Sequence, residues 1–203
     1  MPTNLAQALR LMLVTDDAFL RGRDPVALIQ AAAQGGITSV QLRLKRATAA
    51  DLARIGRALL QAIGLPLIIN DRMDVALAIG AHGVHLGPDD MPVPLARRIA
   101  PPGFIIGASV GLESELANGV DADYWGIGPW SVTSTKNAAG AALGAAGFAR
   151  IRAHAGDRPC IAIGGIRPGD VAYALAAGAA GVAVVSGILG AEDTAAAARR
   201  YHG

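Results

Sequence analysis

Short apolar runs alternate with longer segments whose apolar residues recur every three or four positions, from Leu11 to Tyr201. The runs have the length and branched-residue content of buried strands, and the longer segments have the helical period. The pattern predicts strands at 11–15, 38–45, 67–69, 83–86, 104–108, 123–127, 159–163 and 181–185. Helices are predicted at 25–34, 49–63, 75–79, 94–100, 112–118, 147–155, 169–177 and 194–201. The punctuation agrees: Asp24-Pro25 opens the first helix, Gly35-Gly36 closes it, and Gly64 and Gly80 end the next two. Nearly all-apolar strands separated by helices indicate a parallel sheet covered on both faces, and eight such units favour closure into a (β/α)8 TIM barrel. No linker or break in composition divides residues 1–203, so one catalytic domain is expected.

Composition narrows the function. A chain of 203 residues with 52% hydrophobic content, 17% charge and 26 glycines is rich in core and tightly turned, not disordered. A net charge of +2 with no dense Lys/Arg block argues against nucleic acid. The uncharged stretch 172–191 is long enough for a membrane span, but its glycines and the strand-like Val182-Ala183-Val184-Val185 make it a buried helix followed by a buried strand. The N-terminus lacks a basic leader, and the single Cys160 favours a reducing compartment and a small buried hydrophobe, so a cytoplasmic location is expected. The sequence leaves the oligomeric state open, a homo-oligomer included.

A barrel gathers its chemistry just past the C-terminal ends of the strands, and unusual polar residues fall there. Leu67-Ile68-Ile69 runs into Asn70-Asp71-Arg72, and Gly83-Val84-His85-Leu86 runs into Gly87-Pro88-Asp89-Asp90. If these strands are parallel neighbours, Asp71 and one of Asp89 and Asp90 converge, with the Asn70 amide beside them. That set suits a hard cation such as Mg²⁺; the alternative is two acidic turns that only face solvent. Gln41, Arg43 and Lys45 alternate with Val40, Leu42 and Leu44 in the second strand. A polar face on a parallel strand belongs in the barrel mouth, where a phosphorylated substrate would supply the anions such cations need. Ser109 follows strand five, and the loop after strand six carries Thr133, Ser134, Thr135 and Lys136, donors without acidic neighbours. Strands seven and eight end in Gly164-Gly165-Ile166 and Val185-Ser186-Gly187, where barrels frequently hold a phosphate. One phosphate there, with cations and a metal across the mouth, implies two anionic substrates.

These residues resemble the thiamine phosphate synthase family along nearly the full chain, through QLRLK at 41–45, INDRMDVALAIGAHGVHLG at 69–87, the Asp89-Asp90 pair, GASV, the TSTK loop, AIGGI and GVAVVS. The resemblance implies a Mg²⁺-dependent transferase that joins a pyrimidine methyl diphosphate to a thiazole phosphate and releases pyrophosphate. It assigns Gln41, Leu42, Arg43, Leu44, Lys45, Asn70, Ser109 and Lys136 to the pyrimidine diphosphate, and Asp71 and Asp90 to Mg²⁺. It assigns Thr133, Ser134, Thr135, Gly165, Val185 and Ser186 to the thiazole phosphate. In the implied mechanism the aminopyrimidine ring supports a methyl cation, Arg43, Lys45 and Lys136 stabilise the leaving pyrophosphate, and the thiazole nitrogen captures the carbon. No protein nucleophile is needed. His82 and His85, three apart, fall on opposite faces of a strand and are expected to pack and hydrogen-bond. The chain departs from the family pattern at Leu44, at Pro88, at Val110-Gly111-Leu112 and at Trp130-Ser131-Val132. A thiazole tautomerase-like paralogue and a non-catalytic phosphate-binding barrel remain as alternatives, the first disfavoured by Arg43, Lys45, Asp71, Asp90 and Lys136.

Overall fold

The computed structural model describes residues 5–132 and 141–202. All eight strands form where the apolar runs lie: β1 (Leu11–Val14), β2 (Ser39–Leu42), β3 (Leu67–Asn70), β4 (Gly83–Leu86), β5 (Ile105–Ser109), β6 (Tyr124–Ile127), β7 (Cys160–Ile163) and β8 (Gly181–Val184). Each pairs in parallel with the next, and β8 returns to β1, so the barrel closes in sequence order. Parallel pairing puts every strand's C-terminal end on one rim, which fixes where a site can be. β2 is shorter than the expected 38–45, because its register with β3 ends at the Leu42–Ile69 pair. Beyond it Arg43 and Lys45 take partners from the residues that follow β1.

The helices are α1 (Leu5–Ala8), α2 (Asp17–Leu20), α3 (Pro25–Gln34), α4 (Ala49–Ala62), α5 (Met73–Ile79), α6 (Val93–Ile99), α7 (Gly144–Arg152), α8 (Val171–Ala176), α9 (Ser186–Leu189) and α10 (Thr194–Arg199). Local chemistry sets their ends. The Asp24 carboxylate accepts from the Val26 N–H at 2.9 Å ahead of α3, and the Thr48 hydroxyl accepts from the Asp51 N–H at 3.1 Å ahead of α4. The single turns α1, α2 and α9 carry no helical period and were not expected. The fifth helix, expected at 112–118, is instead a 3-10 segment, Glu113–Gly119. Its sequence offers no apolar stripe, and Gly119 lies so close to Trp125 that an added Cβ would stand 2.2 Å from the indole nitrogen, which donates to the Gly119 carbonyl at 2.9 Å. The stretch 172–191 resolves into most of α8, then β8 and α9. Among the described residues no helix is long and apolar enough to cross a membrane.

Alternation within the strands divides the core in two. Val40, Leu42, Ile69, Val84, Ile106 and Val182 face outward into the layer beneath the helices. Met12, Val14, Ile68, Ile105, Tyr124, Ile161 and Ala183 fill the barrel interior. Tyr124 fits there because β5 carries glycine opposite it: a Cβ at Gly107 would lie 2.2–2.5 Å from the phenol ring. Cys160 is buried, and burial pushes its thiol up to about 11, so it stays neutral and acts as a small core residue.

Candidate active site

A cavity of about 370 Å³ opens at the C-terminal rim. Gln41, Arg43, Lys45, Asn70, Asp71, Asp90 and Ser109 line one side. Gly165, Val185 and Ser186 line another part of the wall. Leu42 and Leu44, which the resemblance placed within the binding segment, instead turn outward: Leu42 is buried in the helix-facing layer and Leu44 packs against it. Thr133, Ser134, Thr135 and Lys136 lie outside the described residues.

The acidic side is built by two strand ends. Asn70 ends β3, and Asp71 then takes a left-handed φ of +63°, a conformation few residues other than glycine, asparagine and aspartate adopt readily. Its N–H is held by the His85 carbonyl at 2.8 Å, which locks the turn to β4. Past β4, the Asp90 carboxylate folds back to accept from the Gly87 N–H at 2.6 Å. Asp71 and Asp90 meet there, as the strand-end reading required. Burial first, and then the Asp71 carboxylate beside it, push Asp90 up to about 6. The two carboxylates stand side by side at the cavity wall, with the Lys45 ammonium paired to Asp71. Among the described residues no group of three or more His, Cys, Asp or Glu side chains is placed to hold a metal ion.

The cations differ from the sequence expectation. They were taken to lack protein anions, but the Arg43 guanidinium donates to Asp16 at 2.7 Å and the Lys45 ammonium pairs with Asp71. Lys45 is half exposed, its side chain at 51%, which puts it at the barrel mouth, as expected.

Beneath the charged rim lies a polar layer. The two ring nitrogens of His85 each lie 3.0 Å from a hydroxyl, Nδ1 from that of Tyr124 and Nε2 from that of Ser109. Gln41, only 3% exposed, lies near the same phenol and donates to the Met12 sulfur at 3.7 Å. Burial drives the Tyr124 phenol far above its usual range, so it stays protonated and serves as a fixed hydrogen-bonding group. Gly126 leaves the space for His85, since a Cβ there would stand 3.1 Å from the imidazole. The expectation that His85 hydrogen-bonds is met, but that it lines the cavity was not foreseen. The alternation Val84-His85-Leu86 was the available signal: with Val84 and Leu86 turned outward, His85 points inward, beside Asn70 in the register. His82 precedes β4 and accepts from the Leu67 N–H at 3.1 Å, away from the cavity.

On the glycine side, Gly164 and Gly165 both have positive φ, +91° and +71°. A Cβ on Gly165 would stand 3.0 Å from the Ser131 side chain and 3.1 Å from the Ser131 and Val132 carbonyls. Gly165 therefore lets the 129–132 segment run close along the end of β7, where the Ser131 N–H donates to the Gly164 carbonyl at 2.9 Å.

A closed parallel barrel with cations and a carboxylate pair on one side of its mouth, a glycine turn after β7 and the start of α9 after β8 defines a (β/α)8 barrel suited to anionic ligands. The chain belongs to the thiamine monophosphate synthase family, whose sequence profile matches residues 11–188. It is 46% identical over 194 residues to a thiamine-phosphate synthase of Methanoculleus marisnigri, covering 93% of this chain and 92% of that one. It is likewise 46% identical over 196 residues to the thiamine-phosphate synthase of Chloroflexus aurantiacus, covering 94% and 90%. Among solved structures, a thiamine phosphate pyrophosphorylase from Pyrococcus furiosus superposes with a TM-score of 0.85 at 36% identity, covering 98% of this chain and 96% of that one.

Proposed function

We propose that this chain is a thiamine-phosphate synthase that joins a pyrimidine methyl diphosphate to a thiazole phosphate with release of pyrophosphate, and that it does so with Mg²⁺ at Asp71 and Asp90. Family membership, and relatives of that name matching over most of their length, support the activity over a tautomerase-like paralogue or a non-catalytic barrel. The observation that carries the metal is the carboxylate pair at the cavity wall: Asp71 and Asp90 converge from neighbouring strand ends, and Asp90, pushed up to about 6 by burial first and by Asp71 second, would be favoured as a carboxylate by a divalent cation. Two protein carboxylates are a sufficient protein share for Mg²⁺, which ordinarily completes its shell with water and substrate phosphate oxygens. When bound, Mg²⁺ supplies positive charge next to the diphosphate.

The chain's own residues do the remaining work. Arg43 and Lys45 carry cationic donors into the cavity, where they stabilise charge that grows on the departing diphosphate. The Gln41, His85, Ser109 and Tyr124 layer lies deeper and orients the aminopyrimidine ring through fixed hydrogen-bonding groups. Gly165 and Ser186 hold the thiazole phosphate, with Lys136 and residues 133–135 assigned to the same two anions by the family resemblance. No side chain need bond to carbon: the C–O bond breaks with its electron pair leaving on pyrophosphate, the methyl cation that remains is stabilised by the electron-rich aminopyrimidine ring, and the thiazole nitrogen lone pair captures it. The test is product formation with both substrates followed by mass spectrometry. Thiamine phosphate should form with Mg²⁺, stop in excess EDTA and return when Mg²⁺ is restored. Undiminished product under chelation refutes the metal, and no product under any condition refutes the activity.

A further inference from the structure

The three residues that leave β1, Thr15, Asp16 and Asp17, hold the chain that leaves β2 through five hydrogen bonds, to the Arg43 N–H, carbonyl and guanidinium and to the Lys45 and Arg46 N–H groups. β2 stops pairing with β3 after Leu42. The Arg43 N–H and C=O therefore need new partners, because unpaired backbone groups in a part-buried position are costly. The fully buried Thr15 supplies both through one hydroxyl: Oγ1 accepts from the Arg43 N–H at 2.8 Å and donates to the Arg43 carbonyl at 2.9 Å. Asp16 fixes the side chain. Its Oδ2 accepts from the Arg43 Nη1 at 2.7 Å, and its Oδ1 accepts from the Ala18 N–H at 3.0 Å at the start of α2, so the carboxylate itself cannot turn. Asp17 accepts from the Lys45 N–H at 2.8 Å and the Arg46 N–H at 3.3 Å.

Charge alone argues against acids in this place, since Asp16 lowers the positive potential that an anion would meet. What it supplies is geometry: one of the five guanidinium donors of Arg43 goes to Asp16, which leaves Arg43, a residue of the cavity wall, with further donors to offer an anion. We propose that Thr15, Asp16 and Asp17 are positioning residues that hold Arg43 and Lys45 in the orientation needed when pyrophosphate leaves, at some expense to ground-state attraction for the diphosphate. The proposal rests on the reading of the site given above, in which Arg43 acts on the diphosphate.

Positioning and mere folding predict different results. Asp16→Ala should lower kcat by about 10- to 100-fold, the scale of a misplaced catalytic group. Calorimetric Kd for the Mg²⁺ pyrimidine diphosphate should stay the same or tighten, with a binding stoichiometry near one showing that the protein is intact. Asp16→Asn, which keeps an acceptor, should recover part of kcat. In an Arg43→Ala background, adding Asp16→Ala should cost nothing further, because the group it positions is gone. Thr15→Ser should retain activity that Thr15→Val loses. Wild-type kcat in Asp16→Ala, losses that multiply in the double variant, or a Kd that weakens in step with kcat would each overturn the proposal while the wild-type chain still made product. Wild-type turnover in Arg43→Ala would remove Arg43 from the chemistry and the proposal with it. A wild-type chain that makes no thiamine phosphate would instead overturn the functional reading on which it rests.

Discussion

Replacing Asp90 by asparagine should stabilise the metal-free protein while removing its response to Mg²⁺. The native environment pushes Asp90 up to about 6 from 3.8, burial being the first cause and Asp71 the second. A raised native pKa means that the folded protein holds this proton more tightly than the unfolded chain. The stabilisation it gives is complete below about pH 4, falls as the pH rises, and is gone above about pH 6. The full shift would correspond to about 3 kcal/mol, but Asp90 is partly open to water, and screening reduces the usable figure to about 1 kcal/mol. Asparagine keeps an oxygen for the Gly87 N–H and carries no charge to repel Asp71. At pH 8 in EDTA, Asp90→Asn should therefore melt about 2–4 °C above the wild type, a shift typical for a domain of this size. At pH 4 the two should melt together. Millimolar Mg²⁺ should raise the wild-type Tm at pH 8 and leave Asp90→Asn unchanged, by mass action on the folded state. Thermal denaturation followed by circular dichroism measures all three. An Asp90→Asn protein less stable than wild type at pH 8 in EDTA, or one equally stabilised by Mg²⁺, would refute the reasoning.

The two sides of the cavity should separate in binding experiments. Arg43→Ala should weaken the pyrimidine diphosphate and spare the thiazole phosphate, whereas Ser186→Ala should do the reverse, by about 1.5–3 kcal/mol for a hydrogen bond to a charged group; calorimetry with each ligand alone decides. Lys136→Ala should lower kcat by about 10²-fold or more with a smaller effect on affinity, and a normal kcat would assign it to the surface. Gly107→Ala should destabilise by about 1–3 kcal/mol in urea denaturation, the range for an overpacked core, because the new methyl meets the Tyr124 ring.

The architecture and the acidic half of the site were legible in the sequence for a physical reason. A closed parallel barrel leaves its strands almost no polar positions, so Gln41-Leu42-Arg43-Leu44-Lys45 and the Asp71 and Asp90 strand ends stood out against an apolar background. The contacts that depend on register across different strands did not. Asp16 and Asp17 follow β1 as Asp71 follows β3, a signal that was present, but that they grip Arg43, Lys45 and Arg46 depends on where β2 stops pairing. The His85, Ser109 and Tyr124 contacts likewise depend on glycines at positions 107 and 126 standing opposite large rings, which no single strand reveals. The 3-10 segment at Glu113–Gly119 escaped because a short polar stretch has no period by which to tell it from an α-helix.

The most direct measurement of the central claim is a single-turnover reaction with enzyme in excess, in which pyrophosphate is followed with time. One cavity that ionises the pyrimidine diphosphate and joins it to the thiazole phosphate predicts a burst of one pyrophosphate per limiting pyrimidine, matched by one thiamine phosphate, with Mg²⁺ and both substrates present. Arg43→Ala should slow that burst without lowering its final amplitude. Pyrophosphate released without thiamine phosphate, or no burst from a folded protein that binds both ligands, would contradict the account.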